Sequence, residues 1–569
     1  MSRNIKLLFI IVAVIIIIAG IFHAISLIFI NDDAFITFRY VDNLTRGNGP
    51  VYNAGERVEG YTNFFWLTLL ALCSTLYANA DPVLLSKILG IIFFSATLIL
   101  FIISNLKLKS EKNNFVYLLP ITSIALALHR DFCAYATSGL ETSMFTFFVS
   151  CSFLLLIAHK SERVLLLSGL LIVLTMLTRP DGFLFFVSAC IFILIKYKKP
   201  SIPLILFSLP TILLFLPYWI WRYNYYGYFF PNTFYAKSIN IPYYSQGLNY
   251  IFIYFKVYYV FIIVIFIEII FIGKVLKIFT NRRGELNFLD YLREDKIIPS
   301  YILLAGMFVL LYFLFIIYIG GDFMHARFLI PVTPLLYFLG EHIAKIILKP
   351  RWYIVTAAVI VITTIFRNDI YKNNLNVGYI VDEVRFYTEE QHKRAMHQGK
   401  SLNRYLKDLP VRMAFGPAFQ KVAYYSDVPY ALETSTGLTD TFIAHQKLIT
   451  RGRPGHEKPA PMEYMIKRKI HFYIGPRLML PKDEFPLNAI MFDSVLAQII
   501  TYDESLMVKL RKYPEIKFIH IPSYLDEYKK NIDQYPKEKI LRDYNFLENF
   551  YFSHNNDTIR QAIFKKYLK

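Results

Sequence analysis

Two adjacent carboxylates, Asp32 and Asp33, stand in the run Asn31-Asp32-Asp33-Ala34-Phe35-Ile36-Thr37-Phe38-Arg39-Tyr40, just beyond the first long apolar stretch. A carboxylate at an apolar boundary is desolvated, which raises its basicity and suits it to take a proton from a hydroxyl. The plainer alternative makes the two residues a capping pair for the helix that starts after them. Arg39 falls about two turns down that helix and can face the same cleft.

Cationic positions recur beyond other apolar runs. Thr178-Arg179-Pro180-Asp181-Gly182 is one, and Gly320-Gly321-Asp322-Phe323-Met324-His325-Ala326-Arg327 is another. Arg222 ends a third run, with Lys237 downstream in the next loop. Guanidinium groups grip phosphate oxygens in pairs, so such a set can hold a lipid-linked phosphate. Each one alone could equally be a snorkelling anchor at a headgroup layer. Gly-Gly-Asp-x-x-His-x-Arg carries more polar types than anchoring needs. Glu141 adds a carboxylate near the end of its own apolar run. Glu59, Tyr61 and Asn63 lead into an aromatic-rich amphipathic stretch that fits a helix lying in the interface.

The elements that must position these groups are mostly membrane spans. Of the 569 residues, 55% are hydrophobic and 18% charged, with a mean hydropathy of +0.41; soluble domains carry about 25% charge. Crossing a hydrocarbon core takes roughly 20 apolar residues. Spans are expected near 7–30, 82–105, 115–130, 138–158, 164–178, 183–196, 201–222, 250–273, 297–319, 328–348 and 352–366, which makes about eleven. The first of these has neither the short apolar core nor the cleavage site of a signal peptide and reads as an uncleaved span. The stretch 62–77 is ambiguous, and the basic residues decide it. If it lies in the interface, then Arg3/Lys6, Lys107/Lys109/Lys112, Lys160/Arg163, Lys196/Lys198/Lys199, the loop Lys274–Lys296 and Lys349/Arg351 all fall on the cytoplasmic side. The loops holding Asp32, Arg179, Lys237 and His325, and the tail from 367, then face outward.

The expected architecture is a polytopic α-helical membrane module over 1–366, with interfacial helices in its loop 31–81, followed by a mixed α/β extracytoplasmic domain over 367–569. In that tail, 382–408 reads as helix and 411–416, 470–475 and 517–521 as strands. Two compact polar motifs there, Gly437-Leu438-Thr439-Asp440 with His445 and Arg453-Pro454-Gly455-His456-Glu457-Lys458, read on their own as surface turns. The net charge of +19 does not point to nucleic acid, because the basic excess sits in short loops and is interspersed with acids in the tail. The cysteines, Cys73, Cys133, Cys151 and Cys190, show no metal-ligand spacing.

Taken in order, DDAFITFRY, RVEGYTNFFW, SGLETSMF, TRPDG, YGYFFPNTFYAK, GGDFMHARFLIP, GLTD..IAH and RPGHEK resemble the GT-C glycosyltransferases that use polyprenyl-phosphate sugars. Within these, they are most similar to the terminal arabinofuranosyltransferase family of mycobacterial cell-wall arabinan. The likeness runs from residue 31 to about 475. It implies an inverting transfer from a polyprenyl-phosphoryl sugar to a glycan or lipid-linked acceptor at the outer face of the cytoplasmic membrane. Asp32 or Asp33 would be the base. Arg39, Arg179, His325, Arg327 and Lys237 would hold the donor phosphate or sugar, and Glu59, Tyr61, Asn63, Glu141, Asn232 and Asp322 would shape the cleft. His445, His456, Glu457 and Lys458 would lie where the tail meets the site. No cofactor is required on this account, although an Asp-Asp pair can bind a divalent metal. The resemblance suggests a pentose such as arabinofuranose, but these motifs do not fix the sugar. The competing classes are a transporter or lipid flippase, which would be expected to carry internal repeats and midplane charges, and a non-catalytic envelope scaffold.

Overall fold

A computed structural model describes residues 3–77, 80–108, 115–158, 161–281, 288–476 and 486–568. Lys109, Lys112, Lys160 and residues 282–287 of the basic loop lie outside them. The chain is a multi-pass helical membrane protein. It begins with α1 (Arg3–Ser26), whose Leu7, Ile11, Ile15, Ile18 and Phe22 are exposed as a lipid-facing surface must be. The chain then turns into α2 (Ala34–Thr45) and α3 (Phe64–Leu76) before α4 (Pro82–Lys107). The 13 residues of α3 reach only about 20 Å, too short to cross a bilayer core.

Among the described residues, five helices are long and apolar enough to cross a membrane, and up to seven if each of two bent pairs is one span. The expected spans that fall short are real helices but small ones: Glu162–Thr178, Phe183–Lys196 and Pro350–Ile365 have 17, 14 and 16 residues. The continuous span expected at 250–273 is not formed. The chain there breaks into Tyr244–Val257 and Val260–Asn281, bent by 103°. The break is held by partners apolar periodicity cannot reveal. The Asn368 N–H donates to the Val257 carbonyl at 2.9 Å, and the Tyr258 hydroxyl donates to Asp131 at 2.7 Å. The expected span at 115–130 is likewise split, into Phe115–Leu118 and Ile121–Leu128, and the next helix, Arg130–Ala134, begins at its end.

After residue 366 the structure becomes mixed α/β. A two-stranded hairpin, β1 (Asn376–Val377) and β2 (Ile380–Val381), precedes a six-stranded sheet of β3 (Arg412–Phe415), β4 (Tyr430–Glu433), β5 (Phe472–Ile474), β6 (Ala489–Phe492), β7 (Val495–Ile499) and β8 (Ile516–Phe518). The sheet order is β4-β3-β5-β7-β6-β8, with β4, β3 and β5 parallel and the remaining pairs antiparallel. The helix expected over 382–408 is interrupted: Glu383–Phe386 is followed by Glu389–Leu406, which opens with a Thr388/Gln391 capping box.

This region is tied to the stretch between α1 and α3. Asn53 pairs with the backbone of Ala431 on edge strand β4 through both its amide groups, each at 2.9 Å. Arg46 holds Asp427 with two bonds of 2.8 and 3.1 Å. Asn31 donates to Glu383 at 2.9 Å.

Candidate active site

The two carboxylates after α1 have different surroundings. Asp32 is buried and accepts the backbone N–H groups of Gln420 and Lys421, both at 3.0 Å. It caps a helix nearly 390 residues away in the chain. Burial pushes its carboxyl up to about 6, against the pull of Lys421 and those N–H groups. Asp33 occupies the N-cap position of α2 but makes no capping bond with its side chain. Among the described residues no group donates a hydrogen bond to its carboxylate. It faces a cavity of about 370 Å³. Burial raises its carboxyl above the ordinary aspartate value, with Arg327 and Lys237 pulling the other way.

Arg179 closes one wall of this cavity and is fully engaged. Its Nε and Nη2 both bond Asp181 at 3.0 Å, and its Nη1 bonds Glu141 at 2.9 Å. Asp181 also accepts the Tyr312 hydroxyl at 2.6 Å. Glu141 also takes the Asn63 amide at 3.0 Å and lies 3.4 Å from Arg327. Arg327 is held more loosely, since its other carboxylate, Asp322, is 3.5 Å away and its buried Nε has no partner. The turn that carries it depends on Gly320 and Gly321, at φ +88° and +70°. A Cβ on Gly321 would come within 2.5 Å of the Tyr250 ring.

Lys237 follows the short helix Asn232–Ala236, with its ammonium 5.8 Å from the centre of the Phe328 ring and no ion pair among the described residues. From the C-terminal region comes Arg451, held by Glu457 at 2.9 Å, with Gly452 N–H on the other Glu457 oxygen at 2.9 Å. Arg453 lies 4.5 Å from the Phe323 ring, its buried Nε unpartnered, and its charge bears on Asp33. The lining thus carries four carboxylates (Asp33, Glu141, Asp181, Asp322) and four cations (Arg179, Lys237, Arg327, Arg451). Arg179 is committed to two carboxylates, whereas Lys237 has no ion pair among the described residues and Arg327, Arg451 and Arg453 each keep an unpartnered Nε, so donors remain for an anionic ligand. Arg451, Arg453 and Asp181 are absent from the candidates drawn from sequence, although all three stand within or beside the quoted motifs.

The expected residues therefore separate into groups. Asp33, Tyr61, Asn63, Glu141, Arg179, Lys237, Asp322 and Arg327 come together on the cavity. Arg39 does not: it bonds the carbonyls of Tyr52 at 2.9 Å and Val428 at 2.8 Å, clamping loop to tail. His325 also turns away, to Tyr371 at 3.1 Å and Asp131 at 3.4 Å. Glu59 sits behind the wall in a buried pair with Arg222 at 2.7 Å. Asn232 and Lys458 stitch the loop around 232–236 to the tail. Asn232 donates to the Gly437 carbonyl at 2.8 Å, and Lys458 donates to Tyr235 and Ala444, both at 2.7 Å. His445 stacks on Tyr235, ring centres 4.2 Å apart. His456 packs edge-on against Phe323; burial and neighbouring Arg453 push it down to about 4, so it stays neutral near pH 7. Among the described residues no group of three or more His, Cys, Asp or Glu is placed to hold a metal ion.

The chain is 28% identical over 335 residues to a terminal β-(1→2)-arabinofuranosyltransferase of Corynebacterium glutamicum, covering 53% of this chain and 46% of that protein. It is 28% identical over 326 residues to the enzyme of the same name from Mycobacterium tuberculosis, covering 53% and 50%. The chain thus spans about half the length of the curated relatives it matches. No family model matches it. Its fold matches that of ArnT from Cupriavidus metallidurans, solved bound to undecaprenyl phosphate, with a TM-score of 0.50 at 12% identity over 77% of this chain and 88% of that one. By sequence the chain is distantly related to the terminal β-(1→2)-arabinofuranosyltransferases, and its fold is the membrane architecture seen in ArnT.

Proposed function

We propose that the protein is an inverting glycosyltransferase that moves a sugar from a polyprenyl-phosphoryl donor to a hydroxyl of a cell-envelope glycan. The observation that carries this reading is the pairing of one unbonded carboxylate, Asp33, with two incompletely used cations, Lys237 and Arg327, around one cavity. Asp33 takes the proton of the acceptor hydroxyl. The acceptor oxygen attacks the anomeric carbon from the face opposite the phosphate, and the bond from that carbon to the phosphate oxygen breaks. The transition state resembles an oxocarbenium ion. The polyprenyl phosphate leaves with the bonding pair, its new charge met by Lys237 and Arg327. Glu141 and Asp181 hold Arg179 still, and Arg179 in turn fixes the carboxylate that orients Arg327. The names of the relatives favour a pentofuranose such as arabinofuranose as the sugar, and the ligand of ArnT favours a polyprenyl phosphate as the carrier.

The positive-inside pattern supports placing the cavity and the domain from 367 onward on the outer face of the cytoplasmic membrane. The test is transfer of labelled pentose from a synthetic polyprenyl-phosphoryl arabinofuranose to envelope glycan by the purified protein in lipid. Transfer that Asp33→Asn abolishes supports the proposal, and no transfer by an intact, donor-binding protein refutes it. A strain lacking the protein should lose a terminal sugar and accumulate the lipid-linked donor. A transporter or flippase would instead leave glycan termini intact and block movement of a solute or lipid.

A further inference from the structure

A second cavity, of about 1030 Å³, lies at the other ends of the helices that frame the Asp33 cavity. Helix Phe183–Lys196 has Phe183 and Leu184 on the first and Phe192 and Lys196 on the second. Helix Ser300–Ile319 has Phe315 and Ile319 on the first and Ser300 and Tyr301 on the second. At 1.5 Å per residue the two linings lie about 12–20 Å apart along the first helix and about 21–29 Å apart along the second, toward opposite ends of both.

The charge balance of the two differs. The first is lined by equal numbers of acids and bases, whereas the second is lined by Lys196, Arg293, Lys296 and Lys345 and by one carboxylate, Asp295, with Asp290 pairing Arg293 at 3.1 Å from just outside the lining. One Asp295 oxygen accepts Lys196 at 2.9 Å, the Ser300 N–H at 3.0 Å and the Ser300 hydroxyl at 2.6 Å. Lys345 is buried and committed to Glu341 at 2.5 Å and to Asn105. Lys296 is exposed and has no ion pair among the described residues. Leu156, Ile157, Phe192, Ile297 and Ile346 supply apolar wall beside these cations. Lys296, without an ion pair among the described residues, and Lys196, whose one carboxylate partner is largely exposed, stand beside hydrocarbon surface, an arrangement that matches an amphiphilic anion.

We propose that this chamber binds the phosphate headgroup of an anionic membrane phospholipid, with Lys196 and Lys296 facing the phosphate and the apolar wall facing the first acyl carbons. The site is independent of the glycosyl-transfer reading and holds whatever reaction the other chamber performs.

The test uses the purified full-length chain in detergent, with lipid retention read by native mass spectrometry and unfolding temperature measured in parallel. Phosphatidylglycerol, phosphatidylcholine of the same acyl composition, and inorganic phosphate are compared. Phosphatidylglycerol is expected to be retained and to raise the unfolding temperature, and the other two are not. The variant carrying both Lys196→Gln and Lys296→Gln is expected to weaken that retention by about fivefold per cation. Lys296→Gln alone removes a surface group with no ion pair, so its fold is safe and its effect still reads the site. The decisive control is Lys198→Gln with Lys199→Gln, two exposed lysines just outside the cavity. Equal weakening by this control would reduce the effect to general surface charge and overturn the proposal. Equal retention of phosphatidylcholine, or protection by inorganic phosphate alone, would overturn it as well.

Discussion

Asp32 and Asp33 are consecutive, yet the Asp32 carboxylate accepts two backbone N–H groups from Gln420 and Lys421 while Asp33 accepts none and faces the cavity. One is a strut between membrane module and tail, and the other is available for chemistry. Asp33→Asn should therefore lower kcat by about 10²–10⁴, the range for loss of a general base, with little change in Tm. Asp32→Asn keeps an acceptor oxygen but not two, and should cost about 1–3 kcal/mol of stability with a much smaller loss of rate. Parallel transfer assays and thermal unfolding separate the two. The reverse assignment predicts the opposite pattern.

On the proposed mechanism the same carboxylate sets the pH profile. A general base acts in its charged form, and burial raises the Asp33 carboxyl above its usual 3.8. The rate should thus fall as pH drops through that elevated value, higher than an exposed aspartate would allow. Neutral His456 contributes no acid limb near neutrality, since its folded value is about 4. A kcat/KM profile whose acid limb disappears in the residual activity of Asp33→Asn would confirm the base. An unchanged limb would assign it to another group.

The cations differ in kind, and their substitutions should too. Lys237 has no ion pair to lose among the described residues, so Lys237→Ala should leave the unfolding free energy within about 0.5 kcal/mol of the parent and weaken donor binding by roughly tenfold or more. Arg179→Ala strands Asp181 as a buried, uncompensated carboxylate, leaves Glu141 only the looser Arg327 at 3.4 Å, and should destabilise by about 3–5 kcal/mol. Donor titration and unfolding on the same preparations test both. A folded Arg179→Ala with only a binding defect would contradict this division.

Much of the site is legible in the sequence because it is built where apolar runs stop. Asp33, Asn63, Glu141, Arg179, Lys237 and Arg327 come from six separate segments, each a polar cluster beside hydrophobic sequence, and spanning helices bring such clusters to one level. Side-chain direction is not legible in that way. Arg39 sits on the same helix as Asp33, but the loop carbonyl of Tyr52 and the tail carbonyl of Val428 draw it off the cavity. His325 stands two residues before Arg327, yet the left-handed turn at Ala326 sends it to Asp131 and Tyr371. The split of the 250–273 run depends on Asn368, far beyond any local window. In the tail, β4 is buried along its whole length and β6 nearly so, so neither carries the alternation that marks a half-buried strand.

The join between module and tail yields the last prediction. Strand β4 is an edge of the sheet, and its exposed backbone at Ala431 would invite another strand. Asn53 fills that role with one side chain: its amide donates to the Ala431 carbonyl and its oxygen accepts the Ala431 N–H. Both groups are buried, so Asn53→Ala leaves a donor and an acceptor unsatisfied at a cost of about 2–4 kcal/mol. Because the neighbouring loop reaches back through α2 to Asp33, the loosening should pass to the site. The expected result is faster hydrogen exchange along 428–434 and in α2, together with a lower kcat. Asn53→Asp keeps the acceptor and loses the donor, so it should fall between the two. Exchange confined to the tail, with kcat unchanged, would show that this contact holds the domain without positioning the base.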